Sequence, residues 1–153
     1  MAIVPIPNKH VDIRHYTMTA GQTFSAGNAV VLAAAGTVST AGDDPGTDGI
    51  LGFALSGYGG GLEVDPYAGK IPVAVAKSNS TFILEADTDV AATNVGESFG
   101  VNNAAGVCCS LDVGDTSATC LLIEAIIADS DDGHPSNMVE VSIHGDTLQF
   151  GGP

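Results

Sequence analysis

The apolar residues of this chain come in runs too short to be helices, and glycine-bearing turn signals cut them apart. The stretch Thr23–Ser56 shows the pattern most clearly. Ala29–Leu32, Thr37–Ser39 and Ile50–Leu55 are the runs; Ala26-Gly27-Asn28, Gly36 and Gly42 through Gly49 divide them. Short runs rich in Val, Ile, Phe and Thr, closed off by Gly, Asp and Asn, are strand signals. None has the three-to-four spacing of a helix face. The stretch therefore predicts a small antiparallel sheet with a wide loop at Gly42–Gly49, onto which the rest of the chain builds.

The same rhythm continues downstream. Ile71–Ala76 (IPVAVA) and Thr81–Ala86 (TFILEA) read as strands, with Ser78-Asn79-Ser80 as a hairpin connection. Asp87-Thr88-Asp89 reads as the cap of a single helical turn, Val90–Asn94, stopping before Gly96. Ser98–Val101 and Gly106–Leu111 form a further hairpin around Asn102–Ala105. Thr119–Ala128 (TCLLIEAIIA) is an unbroken apolar run, which the isoleucines and the surrounding rhythm assign to a strand buried on both faces. Val139, Val141 and Ile143 alternate with Glu140, Ser142 and His144, and Gly145-Asp146 turns them into a C-terminal hairpin with Thr147–Phe150. The fold class expected is all-β: a small antiparallel β-barrel or β-sandwich preceded by an extended N-terminal arm.

A length of 153 residues predicts one domain, residues 17–153, behind an arm of residues 1–16. The apolar fraction of 44 % leans on Ala and Val, with no Trp, so the expected core is thin and a candidate for completing its burial between subunits. A net charge of −14 with only four Lys+Arg argues against nucleic acid and against anionic membrane surfaces, since both demand a basic patch. Three cysteines, Cys108, Cys109 and Cys120, make an odd count and match no zinc spacing. They read as reduced small hydrophobes, in keeping with synthesis in a reducing cytoplasm. No stretch of apolar residues approaches the ~18 that a membrane-spanning helix needs, and no signal-peptide pattern opens the sequence.

The opening segment MAIVPIPNKHVDIRHY differs from the rest. Pro5 and Pro7 favour an extended path and cannot donate to a ladder. Val11, Ile13 and His15 then alternate with Asp12, Arg14 and Tyr16 as in a short strand. Two of the four cations, Lys9 and Arg14, lie here on an otherwise strongly acidic chain; the others, Lys70 and Lys77, flank one later strand. One reading is a frayed terminus. The other is an arm that orders only on a partner, adding a strand to its sheet edge through Pro5, Pro7, Lys9, His10, Arg14, His15 and Tyr16. Such an arm would be removable with the melting temperature nearly unchanged.

Catalytic chemistry is poorly represented. Gly57-Tyr58-Gly59-Gly60-Gly61 lacks the following helix that a phosphate loop requires, because Leu62-Glu63-Val64-Asp65-Pro66 is strand-like. Asp129-Ser130-Asp131-Asp132-Gly133 invites a calcium reading. Gly133 stands one place early, however, Pro135 interrupts the loop and Glu140 sits in a strand, which favours a solvated acidic loop. No serine occupies a nucleophile elbow. His10 and His15 are five apart in an extended segment, and His134 and His144 fall in a loop and on a solvent face. No enzyme and no cofactor are expected.

Several short motifs follow one another: Ala20-Gly21 with Phe24, Ala26-Gly27-Asn28-Ala29-Val30, Gly36-Thr37-Val38, and Ile50-Leu51-Gly52-Phe53-Ala54. Later come Val95-Gly96 with Phe99-Gly100, Gly106-Val107 with Leu111-Asp112, and Leu122-Ile123. From about Ala20 to Phe150 the chain resembles the small all-β head decoration, or capsid cement, proteins of tailed bacteriophages. The resemblance implies a protein that binds the outside of an icosahedral shell after expansion, commonly as a homotrimer at local threefold positions. There it clamps neighbouring copies of the major capsid protein against internal DNA pressure. It implies an N-terminal segment that orders on the shell, here Met1–Tyr16, with Lys9, His10, Arg14 and His15 as polar contacts. A carbohydrate-binding or adhesion module on a virion surface, calcium-assisted through Asp129–Asp132, is the alternative; the absence of Trp weighs against it. A small hydrolase in the glycine-rich loops would need convergent titratable groups, which the sequence does not supply.

Overall fold

A computed structural model describes residues 5–23, 25–47, 49–56, 70–104, 108–127 and 137–149. Along these the strands are β1 (Ile6–Lys9), β2 (Asp12–Thr17), β3 (Ala29–Leu32), β4 (Val38–Thr40), β5 (Gly52–Ala54) and β6 (Lys70–Val75). They continue with β7 (Thr81–Glu85), β8 (Ser98–Asn102), β9 (Ser110–Asp112), β10 (Leu121–Ile126) and β11 (Met138–Ile143). All their pairings are antiparallel, and they form two sheets. The order is β1-β7-β11-β10-β8-β9 in the first, six-stranded sheet and β2-β6-β5-β3-β4 in the second, five-stranded one. The chain is all-β, built of two sheets rather than one closed barrel.

Side-chain alternation explains how the sheets pack. In the second sheet Ala29, Phe53 and Ala74 face the first sheet, while Val30, Ala54, Val73 and Val75 fill a separate apolar cluster on the opposite face. A sheet buried on both faces needs near-continuous apolar strands, and AVVL, GFA and IPVAV supply them. The first sheet turns Phe82, Leu84, Leu121, Ile123, Val139 and Val141 inward. Phe53 and Phe82 meet between the sheets edge to face, ring centroids 4.7 Å apart. The second sheet curls until its end strands touch at one bridge, Met18 to Val38, and in the first sheet a bridge from Ala86 to Leu111 brings the end of β7 to β9.

Four local expectations change. The run at 119–128 becomes β10, buried on one face only: Leu121 and Ile123 point inward, Leu122 is half-buried and Glu124 is exposed. A register shift between Ile123 and Ala125 displaces the ladder at Glu124. Ser78-Asn79-Ser80 is not a hairpin, because β6 and β7 belong to different sheets; the turn carries the chain across the corner between them. The helical turn shrinks to a 3-10 turn at Ala92–Asn94, and the Asp87 carboxylate instead accepts the Val113 N–H at 3.1 Å. Residues 147–149 form a turn rather than a strand. Leu148 bridges to Ile50, and the Gln149 amide takes the place of a strand by pairing with Leu32, accepting its N–H at 2.7 Å and donating to its C=O at 2.8 Å. The expected loop at Gly57–Gly61, the strand at Leu62–Asp65, the acidic stretch Asp129–Gly133 and Phe150 lie outside the described residues.

Candidate functional site

The seven residues expected to meet a partner lie on one ribbon. β1 pairs with β7 (Ile6 opposite Ile83, Lys9 opposite Thr81), and β2 pairs with β6 over its whole length, from Asp12 opposite Val75 to Thr17 opposite Lys70. Residues 6–17 thus run antiparallel to residues 70–85 across both sheets, bending with them at the corner. His10 makes the bend with a φ of 52°, and its C=O accepts a hydrogen bond from the buried Ser80 hydroxyl. Ser80 Oγ in turn accepts the Lys77 N–H at 2.8 Å. The segment is extended, as expected, but it is zipped to its own body and forms the outer strand of each sheet. Truncating residues 1–16 would remove both outer strands, so point substitutions are the sharper probe of docking. Ser80→Ala deletes both corner bonds from a buried position and is expected to cost roughly 1–3 kcal/mol in denaturant unfolding. An unchanged midpoint would show that the corner is held by something else.

The backbone hydrogen bonds fix which groups face outward, because N–H and C=O of one strand residue point to the same side. The Ile127 N–H donates to the Met138 C=O and the His144 N–H to the Cys120 C=O, so even positions of β11 face β10 and odd ones face β7. Val139 and Val141 therefore bond Leu84 and Phe82, which leaves Ile83 directed at Ile6. Pro7, and by the same period Pro5, then sit where an N–H would point off the edge. Proline there blunts the edge against indiscriminate strand addition. On β6 the Pro72 C=O accepts the Leu55 N–H, so Pro72 faces β5 and its neighbours Ile71 and Val73 face β2. Tyr16 and Arg14 are bonded inward, and the backbones of Ile13, His15 and Thr17 face away from β6.

The side chains separate into two groups. Pro5 is buried, Pro7 and His15 are half-buried, and Tyr16 packs on the second-sheet cluster with Met18 and Leu32. Lys9, His10 and Arg14 are exposed. Lys9 Nζ lies 3.7 Å from Glu140, Arg14 lies 3.9 Å from Asp12, and Lys77 Nζ lies 2.6 Å from the same Asp12 oxygen. What the sequence did not disclose is that pairing brings Lys70 and Lys77 to this ribbon as well. All four cations of the chain stand on residues 5–17 and 70–85, with only two of its eighteen carboxylates, Asp12 and Glu85. Two of the three exposed large hydrophobics among the described residues, Ile6 (48 %) and Ile13 (58 %), flank the same corner.

The hydrogen bond and charge of Lys77, with a smaller contribution from Arg14, hold the Asp12 carboxyl below its ordinary value. A depressed carboxyl stabilises the fold above the unfolded value near 4, and that contribution is lost as pH falls through the folded value. The stability gap between the parent and Asp12→Asn is expected to be small, as for any exposed pair, and to close on acidification below about pH 4. A gap that widened on acidification would contradict the pairing.

Two clefts share His144 as a wall. One, of about 440 Å³, lies among Ser78, Leu122, Glu124, Ser142 and Leu148; the other, of about 300 Å³, lies among Asp44, Thr47, Ser117, Asp146 and Thr147. Neither is lined by a lysine or arginine. Ser142 Oγ donates to Glu124 Oε1 at 2.7 Å, so the hydroxyl is engaged by a carboxylate of the neighbouring strand and not by the imidazole.

Cys109 and Cys120 are buried free thiols, and Cys108 is half-buried. Burial pushes all three up, Cys120 to about 12 with Asp115 and Asp44 adding to it, so they are thiols rather than thiolates at neutral pH. Among the described residues no three His, Cys, Asp or Glu side chains stand close enough to share a metal ion. No helix among them is long and apolar enough to cross a membrane.

No protein-family model, curated protein or solved structure matches the chain.

Proposed function

We propose that this chain is a structural protein of a tailed-phage head: a decoration, or cement, protein that sits on the outer capsid surface as a homo-oligomer. There it stabilises contacts between neighbouring major capsid proteins and uses no cofactor. The observation that carries the reading is the coincidence, on one ribbon of an all-β body, of every cation in the chain with two exposed isoleucines. An edge that presents apolar side chains among cations, on a body that otherwise repels its own kind, is built to meet another protein surface. The motif resemblance from Ala20 to Phe150 supplies the kind of assembly. The test is co-sedimentation of the purified chain with expanded phage heads lacking it. Saturable, stoichiometric binding is expected, with occupancy at least tenfold lower for Lys9→Glu/Arg14→Glu. Absence of binding by the parent chain would dispose of the reading.

A further inference from the structure

We propose that the cationic ribbon of one copy docks head-to-tail into the cleft pair around His144 on a second copy of this chain. This deepens the oligomeric part of the reading above by naming the ribbon's partner, and it stands or falls without the shell.

The argument begins with charge segregation. Once residues 5–17 and 70–85 are set aside, the chain holds no Lys or Arg at all and keeps sixteen of its eighteen carboxylates. Among the described residues each copy therefore carries four cations on one edge and ten carboxylates elsewhere, of which Glu140 reaches back to Lys9. Such charges orient an encounter more than they hold it, and the apolar side chains must supply the adhesion. Ile6 and Ile13 are exposed on the basic edge for that purpose. The acceptor needs concavity, carboxylates and some apolar floor in one place. The cleft pair has all three: about 440 and 300 Å³ sharing His144, with Glu124, Leu122 and Leu148 lining the larger and Asp44 and Asp146 the smaller.

Strand pairing holds Lys9 and Arg14 on the edge, where Lys9 faces the largely covered Glu140 and Arg14 the half-exposed Asp12. Donor and acceptor adjoin at Ser78, which lies at the ribbon's corner and also lines the larger cleft, but the surfaces that meet differ, so the contact is heterologous. Repeated from copy to copy, it either closes into a ring or continues as a filament.

The experiment uses the full chain, with mass measured in solution at about 0.02 M and about 0.5 M salt, conditions that change the screening length several-fold. The parent is expected to self-associate at low salt and at least tenfold more weakly at high salt. Lys9→Glu/Arg14→Glu should abolish association. Glu124→Lys/Asp146→Lys should also abolish it, although it lowers the net negative charge and would strengthen association if bulk repulsion alone were at work. The chain carrying all four changes should recover association. A melting curve on each variant confirms that it is folded. A parent that is monomeric at low salt, or association indifferent to either pair of reversals, overturns the proposal. Shell binding by a persistently monomeric parent would sink this inference and leave the decoration reading standing; association without shell binding would do the reverse.

Discussion

Gly52→Ala is expected to abolish folding. Gly52 lies in β5 between Val30 and Val75, and a Cβ built on it falls 2.0 Å from the Ala74 carbonyl oxygen and 2.9 Å from its carbon. Both atoms are backbone of the neighbouring strand, so nothing flexible can move aside. Relief requires β5 and β6 to separate, and that ladder joins the β6 half of the ribbon to the rest of the second sheet. Losses above ~4–5 kcal/mol are exceptional for one substitution, and here such a loss would take most of a typical ~5–15 kcal/mol total. Circular dichroism of the purified variant should show no cooperative melt. Gly100→Ala is the control. Its Cβ would meet the Asp115 side chain at 2.2 Å, and a side chain can swing away at the expense of its bonds to Ser117 and Ala118. A Gly52→Ala variant melting within a few degrees of the parent would mean that the two strands lie farther apart than described.

Asn103→Ala is expected to lower stability by roughly 3–5 kcal/mol, the combined effect of several buried groups losing partners at about 1–3 kcal/mol each. The Asn103 side chain is 1 % exposed. Its oxygen accepts the Ala29 N–H at 2.9 Å and the Asn28 amide at 3.1 Å, while its nitrogen donates to the carbonyls of Ala29 at 3.0 Å and Gly42 at 3.3 Å. Its own N–H goes to Asp43 Oδ1 at 2.7 Å. One residue following β8 in the first sheet thus satisfies the start of β3 and the loop after β4 in the second. Asn103→Asp, nearly the same shape, should be almost as damaging, because it replaces two donors with acceptors facing carbonyl oxygens. For a chain of this size each kcal/mol moves the melting temperature by about 2–4 °C, so a drop of roughly 10 °C is the readout. A shift under a degree would remove this network from any account of how the sheets are joined.

The strands themselves were legible. AVVL, IPVAV and TFILE sit between turn residues, and a run that short, rich in β-branched and aromatic residues, has few other uses. Partner choice was not. Ser78-Asn79-Ser80 has hairpin composition, yet the flanking strands go to different sheets, because β6 pairs with β2, 53 to 63 residues upstream, and β7 with β1, 72 to 77 residues upstream. Local composition carries no record of such a choice. For the same reason the cations at 9 and 14 read as a basic arm, while those at 70 and 77 read as strand flanks. Their union on one ribbon exists only once the register is known. The buried amides escaped for a different reason. Asn103 and Gln149 occupy loop positions where Asn and Gln are unremarkable, and their value lies in distant backbone groups that they alone reach.

The ribbon also sets an order of events. Residues 6–17 leave the ribosome well before residues 70–85 exist, so the earlier segment must wait, unpaired and apolar at Ile6 and Ile13, for its complement to be translated. Closing a loop of that length is entropically slow, and in the first sheet the strands β8 to β11 are translated later still. During that interval the segment is open to the matching strands of a neighbouring nascent chain. Crowded synthesis on one message thus favours exchange between copies, and dilution favours the self-contained form.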